Sequence, residues 1–234
     1  MTIENLICGI AGSIIATLLI WLATKMYFGA SSFRGLKNTI RLIKDCSTAG
    51  IINIFPNRQS YIHHKDHGSQ TQYISRCNNK LMYVGYWLAQ GTEVGDIINA
   101  LQRLIFDKKN VELVLMNPYN DVLLNDIADF LHTDYIEIQQ RIKNSLEKLC
   151  KMKRSLPDEF KTYITIKMHD IPLNASAFLI DYDNEKDLRI LVDYKIYNRE
   201  RERSYGIEFI TGNLSCTLCD SYKEISKNAK PCKE

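Results

Sequence analysis

The pattern of apolar and polar positions begins with one long uncharged stretch near the start of the chain. Between Glu4 and Lys25 there are 20 residues without a formal charge, and most of them are apolar. A helix of about 20 apolar residues matches the hydrocarbon thickness of a bilayer. The pattern therefore predicts one transmembrane helix within residues 1–28, and no other part of the chain resembles it.

Residues 29–49 are predicted to form a second, amphipathic helix. Apolar residues recur at helical spacing on one side, and the basic residues Arg34, Lys37, Arg41 and Lys44 share another side. This arrangement is typical of a helix that lies on an anionic membrane surface. A connector whose apolar stripe packs on the rest of the chain is the alternative interpretation.

Residues 50–234 carry short apolar runs and longer helical periods, which together predict one α/β domain. Three strands come first, at 51–55, 81–86 and 111–115, and a helix at 95–106 connects the second strand to the third. A strand, helix and strand of this length indicate a parallel crossover. Further helices and strands follow at 120–132, 134–154, 163–168, 176–182, 188–194, 206–210 and 213–229. The predicted fold is a mixed β-sheet flanked by helices.

Charge and composition add an orientation to this picture. Hydrophobic residues at 45% and charged residues at 24% are ordinary globular values, and a net charge of +3 is too small to predict nucleic-acid binding. Five cations follow the apolar stretch before Asp45, whereas only Glu4 and the amino terminus precede it. The positive-inside rule then predicts a single-pass protein of a cell inner membrane with its body in the cytoplasm. A cleaved signal peptide would need a positively charged start, which MTIEN lacks.

Small residues form a stripe along the predicted transmembrane helix. Gly9, Ser13 and Ala16 are spaced so that they share one face, where they allow close packing of two helices in lipid. We therefore expect the anchor to support a homo-oligomer. The alternative is that Gly, Ser and Ala are simply common in such helices.

Histidines give weak candidates for catalysis. His63 and His67 are four residues apart and could bind one metal ion if the segment were helical, but a solvated polar loop is the favoured interpretation. His169 and Asp170 follow a predicted strand and could form an acid–base pair, although both residue types are common where strands end. No cofactor is expected.

Cysteines give a similarly weak metal candidate. Cys216 and Cys219 are separated by two residues, which is the C-x-x-C spacing of many metal sites, and Cys232 could be a third ligand. Cys216 and Cys219 also lie one helical turn apart beside apolar residues, where cysteine behaves as a small buried hydrophobe. Burial in the core is the favoured interpretation.

The order of these pieces resembles the phospholipase D superfamily over residues 50–210. The resemblance rests on the segments GIINIFPNR, KLMYVGYWL followed by a helix, and VELVLMNP. Catalysis in that family needs His-x-Lys-x4-Asp, in which the histidine attacks phosphorus and the lysine stabilises charge on the phosphoryl oxygens. The register chosen here places Ser176, Phe178 and Asp183 at those three positions, so only the aspartate is retained. The segment His63-His64-Lys65 has the first half of the motif, but Gln70 stands at the aspartate position.

The resemblance implies an inactive member of the family. We expect a membrane-anchored sensor or effector that binds a small-molecule or protein ligand at Ser176, Phe178 and Asp183 and acts through oligomerisation. An analogy of architecture alone suggests bacterial stress or phage defence. The alternative is a membrane-tethered phosphodiesterase or nuclease with a rearranged site that uses His63, His67 or His169.

Overall fold

A computed structural model describes residues 38–57, 60, 69–88, 92–196 and 204–232. The chain divides into two compact units, residues 1–46 and 47–234. The predicted anchor with its Gly9, Ser13 and Ala16 stripe lies outside the described residues, and so do Arg34 and Lys37 of the basic face. A search of the described helices finds none that is long and apolar enough to cross a bilayer.

A helix occupies residues 38–49 and is called α1 here. Its residues Ile40, Leu42 and Ile43 are exposed, as is the cation of Arg41, which pairs with Asp45 one turn later at 3.8 Å. The observed helix agrees with the second half of the amphipathic helix predicted from the sequence.

The second unit is built on a mixed sheet of eight strands in the order β1-β7-β6-β5-β2-β3-β4-β8. Strands β2, β3 and β4 run parallel, and the other neighbours pair antiparallel. The strands span Ile51–Phe55 (β1), Lys80–Gly85 (β2), Asn110–Met116 (β3), Ile164–His169 (β4), Ala175–Ile180 (β5), Arg189–Tyr194 (β6), Tyr205–Ile210 (β7) and Lys230–Pro231 (β8). The predicted α/β fold with a mixed sheet is confirmed.

Among the described residues of this unit, six helices cover the two faces of the sheet. They span Gln70–Ser75 (α2), Thr92–Phe106 (α3), Asp121–Leu131 (α4), Tyr135–Ser155 (α5), Asp158–Lys161 (α6) and Asn213–Asn228 (α7). Side chains of α2 to α6 share one buried cluster with Leu81 and Tyr83 of β2. Met82 and Val84, the alternate residues of that strand, belong to a second cluster with α7. Alternation of strand side chains therefore gives a helix–sheet–helix sandwich.

Local side chains fix where the helices begin. The carboxylate of Asp134 accepts hydrogen bonds from the backbone N–H groups of Ile136 and Glu137 at the start of α5. The side chain of Asn120 accepts one from Leu123 at the start of α4. Each cap satisfies N–H groups that have no partner within the helix, and such caps stabilise a helix by about 1 kcal/mol.

Candidate functional site

The centre of the sheet brings together residues from four strands at one edge. Gly85 ends β2 and His169 ends β4, while Ser176 lies near the start of β5 and Asp193 near the end of β6. Because β5 runs antiparallel to β2, its first residues meet the carboxyl ends of the parallel strands. Open α/β sheets place their ligands at such an edge, beside the strand where the pairing direction changes. We call this group of residues the carboxyl-edge site.

His169 is an internal, neutral member of the site. Its side chain is 1% exposed, and Nε2 lies 3.2 Å from the carbonyl oxygen of Gly85. The backbone N–H of Ile171 donates to Nδ1 at 3.3 Å, so the ring proton stands on Nε2 and is donated to Gly85. Burial lowers the pKa of His169. With both nitrogens engaged, this imidazole is not presented as a nucleophile in the described geometry.

Gly85 leaves space for the hydroxyl groups of Tyr83 and Ser176. Val84 stands opposite Ala177, which brings Gly85 to Ser176 in the next position of the ladder. A Cβ atom on Gly85 would lie 2.5 Å from Oη of Tyr83 and 2.7 Å from Oγ of Ser176. Oη of Tyr83 donates to the carbonyl oxygen of Trp87 at 2.8 Å. Only glycine leaves room for this arrangement.

An ion pair lies next to Ser176. Asp193 is the register partner of Ser176 on β6, and its Oδ2 contacts Nζ of Lys195. The two side chains are 13% and 12% exposed, so the pair is largely shielded from water. The backbone N–H of Lys195 donates to the carbonyl oxygen of Asn174 at 2.8 Å, which fixes the chain beside the start of β5. The carboxyl-edge site thus combines a carboxylate, an ammonium and a serine hydroxyl.

Asp170 is held by amide side chains instead of serving the imidazole of His169. Its Oδ1 accepts hydrogen bonds from Nδ2 of Asn117 at 2.9 Å and of Asn120 at 3.0 Å, and Nζ of Lys230 lies 3.4 Å from Oδ2. The hydrogen bond from Asn120, with those from Asn117 and Lys230, lowers the pKa of Asp170. These contacts fit the favoured interpretation of Asp170 as a strand-end residue, because its carboxylate ties the loop after β3 to the end of β4.

The three motif positions chosen from the sequence do not line one pocket. Ser176 lies at the carboxyl edge, but Phe178 is buried in the core, where its ring centroid is 4.7 Å from that of Tyr83. Asp183 follows β5 at the opposite edge of the sheet, with a side chain 40% exposed that pairs with Lys80. Strand β5 leads away from the site, which separates the ends of the motif.

Asp181, and not Asp183, is the carboxylate of this segment that the structure holds in a fixed position. It is buried, its φ is +51°, and its carboxylate accepts hydrogen bonds from the backbone N–H groups of Asn78 at 3.0 Å, Asn79 at 2.7 Å and Lys80 at 3.2 Å. With Asp181 as the aspartate, the His-x-Lys-x4-Asp spacing places Asn174 at the histidine and Ser176 at the lysine. This register also lacks both catalytic side chains. In the sequence, Asp181 is marked by its position directly after the buried run AFLI.

The three cysteines predicted as a possible metal site do not lie together. His63 and His67 lie outside the described residues. Cys219 lies on α7 with Sγ 3.8 Å from the carbonyl oxygen of Tyr182, whereas Sγ of Cys232 lies 3.8 Å from Sγ of Cys150 on α5. Cys232 therefore does not join Cys216 and Cys219. Within the described part of the chain, no group of three His, Cys, Asp or Glu residues could hold a metal ion.

A second polar cluster lies at the other edge of the sheet, where a cavity of about 440 Å³ opens. Glu112 of β3 accepts from Nζ of Lys167 at 2.6 Å, from the hydroxyl of Ser226 and from Oη of Tyr182 at 3.3 Å. Burial opposes ionisation of Glu112, but the Lys167 and Ser226 bonds outweigh it and lower the pKa. This cluster joins α7 to β3 and β4.

Comparisons with known proteins give remote structural similarities only. No family model and no curated protein matches the sequence. An archaeal chromatin protein with a novel mode of DNA binding, TrmBL2, is similar with a TM-score of 0.47 and 8% identity over 95% of this chain and 71% of its own. Nuc from Salmonella typhimurium, a phospholipase D family member, is similar with a TM-score of 0.39 and 9% identity over 73% of this chain and 95% of its own. Phosphatidylserine synthase from Haemophilus influenzae Rd KW20 is similar with a TM-score of 0.44 and 9% identity over 69% of this chain and 35% of its own.

Proposed function

We propose that this chain is a membrane-anchored protein with a phospholipase D-like body that binds a ligand or partner in the cytoplasm without hydrolysing a phosphodiester. The observation that carries the proposal is the composition of the carboxyl-edge site. A phosphohistidine mechanism needs an accessible imidazole nucleophile and a cation beside the phosphoryl oxygens. Here the motif positions hold Asn174 and Ser176, and the imidazole of His169 is engaged at both nitrogens.

The polar groups that remain suit recognition. Asp193 and Lys195 form a shielded ion pair beside Ser176. The strand neighbours on the two outer sides of this pair of residues are glycines: Gly85 lies beside Ser176 and Gly206 lies opposite Asp193, so neither adds a side chain there. A ligand bound at this edge would exchange hydrogen bonds with a preformed constellation instead of reacting with it. The anchor would then transmit occupancy through self-association along Gly9, Ser13 and Ala16.

A hydrolysis assay tests the inactive character of the body. The detergent-purified full chain is incubated with bis(p-nitrophenyl) phosphate and with phosphatidylcholine in mixed micelles, with and without Mg²⁺ or Mn²⁺. We expect no turnover above the detergent blank. Turnover that His169→Ala, His63→Ala or His67→Ala abolishes would instead establish the membrane-tethered phosphodiesterase with a rearranged site.

Cross-linking in native membranes tests the anchor. We expect oligomer bands for the unaltered chain, and we expect Gly9→Leu combined with Ser13→Leu to remove them, because leucine side chains separate the two helices. Ile10→Leu combined with Ile14→Leu is the matched control and should leave the bands unchanged. Bands of equal intensity in both variants would count against assembly through the stripe. A role in bacterial stress or phage defence is the class of pathway we propose, by analogy of architecture.

A further inference from the structure

Two thiols that are remote in sequence face each other at the C-terminal end of the fold. Sγ of Cys150 on α5 lies 3.8 Å from Sγ of Cys232, and the two residues are 82 positions apart. Neither forms a disulfide in this structure. Cys150 is buried in the core, while Cys232 is half-buried and packs against the same cluster.

The backbone holds Cys232 in this place. Its N–H donates to the carbonyl oxygen of Ile166 at 3.0 Å, directly after the short pairing of β8 with β4. Cys150 lies within helix α5 and Cys232 lies directly after β8. A disulfide needs an approach of about 1.8 Å between the two sulfur atoms, given an S–S bond of about 2.0 Å. Rotation about the Cα–Cβ bonds moves a sulfur atom over a comparable distance.

We propose that Cys150 and Cys232 are a redox modification site that forms an intramolecular disulfide under peroxide. The half-buried thiol of Cys232 reacts first: its sulfur, as thiolate, attacks one peroxide oxygen, the O–O bond breaks, and water leaves after protonation. The sulfenic acid at Cys232 is then attacked by the sulfur of Cys150, which forms the S–S bond and releases a second water. Two thiols and one hydrogen peroxide thus give one disulfide and two waters.

The disulfide would tie the C-terminal segment to the core beside the middle of β4. Residues 230 and 231 form β8 at the edge of the sheet, and Lys230 reaches Asp170 next to His169. In the reduced chain this segment is held by non-covalent contacts: its short pairing with β4, the hydrogen bond from Cys232 to Ile166 and the exposed ion pair of Lys230 with Asp170. Oxidation would make its attachment covalent and close a long loop, which stabilises the folded state.

Peptide mapping of the full chain tests the proposal. The protein is reduced, treated with a titration of hydrogen peroxide, alkylated and digested with trypsin. We expect a linked pair of the peptides Leu149–Lys151 and Asn228–Lys233, with a mass lower by two hydrogen atoms than the two reduced peptides together, and a raised thermal midpoint for the oxidised chain. Dithiothreitol should reverse both changes.

Matched variants give the outcome that would overturn the proposal. Cys232→Ser and Cys150→Ser should each remove the linked pair and the rise in thermal midpoint, while Cys216→Ser, a change at another half-buried cysteine, should retain both. The proposal fails if Cys232 is oxidised only to sulfinic acid, if it pairs with Cys216 or Cys219, or if cross-links form between chains. It also fails if the Cys150–Cys232 link appears only in urea.

Discussion

The carboxylate of Asp181 accepts a hydrogen bond of 2.7 Å from the backbone N–H of Asn79, across 102 residues of sequence. Two further N–H groups, of Asn78 and Lys80, point at the same carboxylate, and the N–H of Asp181 donates to the carbonyl oxygen of Lys80 at 2.7 Å. The end of β5 is thereby fastened to the start of β2. This junction aligns the two strands whose other ends form the carboxyl-edge site.

Replacement of Asp181 by alanine should destabilise the fold strongly. The change removes several charge-assisted hydrogen bonds and leaves the part-buried N–H groups of the junction without their acceptor, for which we expect a loss of about 3 kcal/mol in the free energy of unfolding. Guanidinium chloride unfolding of the full chain in mild detergent, followed by tryptophan fluorescence, measures it.

Asp183→Ala is the matched control for this prediction. Asp183 also follows β5, but its side chain is 40% exposed and its partner is the single cation of Lys80. Its removal should change the free energy of unfolding by less than about 1 kcal/mol. Equal losses in the two variants would mean that Asp181 does not hold the junction.

The strands of the centre could be predicted from sequence because their residues are apolar on both faces. The runs LMYVG and VELVLM are buried between two helical layers, and such strands form continuous apolar segments. All seven predicted strands lie within two residues of those observed. Helix α2 was missed although Ser69 and Gln72 form a capping box, and β8 was missed because two residues that include Pro231 carry no periodic pattern.

The site itself depends on contacts that local patterns do not contain. Gly85 and His169 are 84 positions apart, and their hydrogen bond exists only because β4 ends beside β3 and β2. The choice between two motif registers depends on the same kind of contact. Asp181 and Asp183 are equivalent in sequence as acidic residues after a strand, and only the backbone N–H groups at the start of β2 distinguish them.

Gly85→Ala should destabilise the carboxyl-edge site. The new Cβ would lie within 3 Å of Oη of Tyr83 and Oγ of Ser176, so buried side chains must move, and overpacking of this kind costs about 1–3 kcal/mol. Combining it with Tyr83→Phe removes one of the clashing atoms, and a double-mutant cycle should show a favourable coupling of at least about 0.5 kcal/mol.

Gly95→Ala is the control of opposite sign. A Cβ at Gly95, in helix α3, would meet nothing within 4 Å. Alanine should therefore stabilise the chain by about 0.5–1 kcal/mol through its better helix propensity. Destabilisation at Gly95 as large as that at Gly85 would show that loss of the glycine backbone, and not the clash, is responsible.

The stability of the chain should fall when the pH decreases through the ordinary pKa of histidine, 6.5. Burial lowers the pKa of His169 in the folded state, so the unfolded state binds the proton first. The contribution of neutral His169 is therefore fully present above pH 6.5 and is lost as the pH falls from there towards the lower folded-state value. The measurement is the free energy of unfolding at a series of pH values from 7.5 to 5.

Substitutions at two histidines assign this pH dependence. His169→Gln, which cannot titrate, should show a shallower decline over that interval than the unaltered chain. His132→Asn keeps a residue that tolerates the left-handed backbone found there (φ +53°) and is the control for removal of an imidazole elsewhere in the fold. An unchanged slope in His169→Gln would mean that His169 is not buried as a neutral side chain.

Glu112→Gln should weaken the attachment of α7 to the sheet. The carboxylate is shared by Lys167, Ser226 and Tyr182, and its loss leaves the Lys167 cation without its closest anion. Because the two charged side chains are 19% and 22% exposed, solvent screens part of the effect, and we expect a loss of about 1–2 kcal/mol. Adding Lys167→Met should recover part of it, because an apolar side chain needs no counter-charge in the same space.

Glu224→Gln on the exposed side of α7 should leave the free energy of unfolding unchanged, since its pair with Lys227 is 3.6 Å long and open to water. If the double variant is as unstable as the sum of its two single variants, the Glu112–Lys167 pair does not act as a unit.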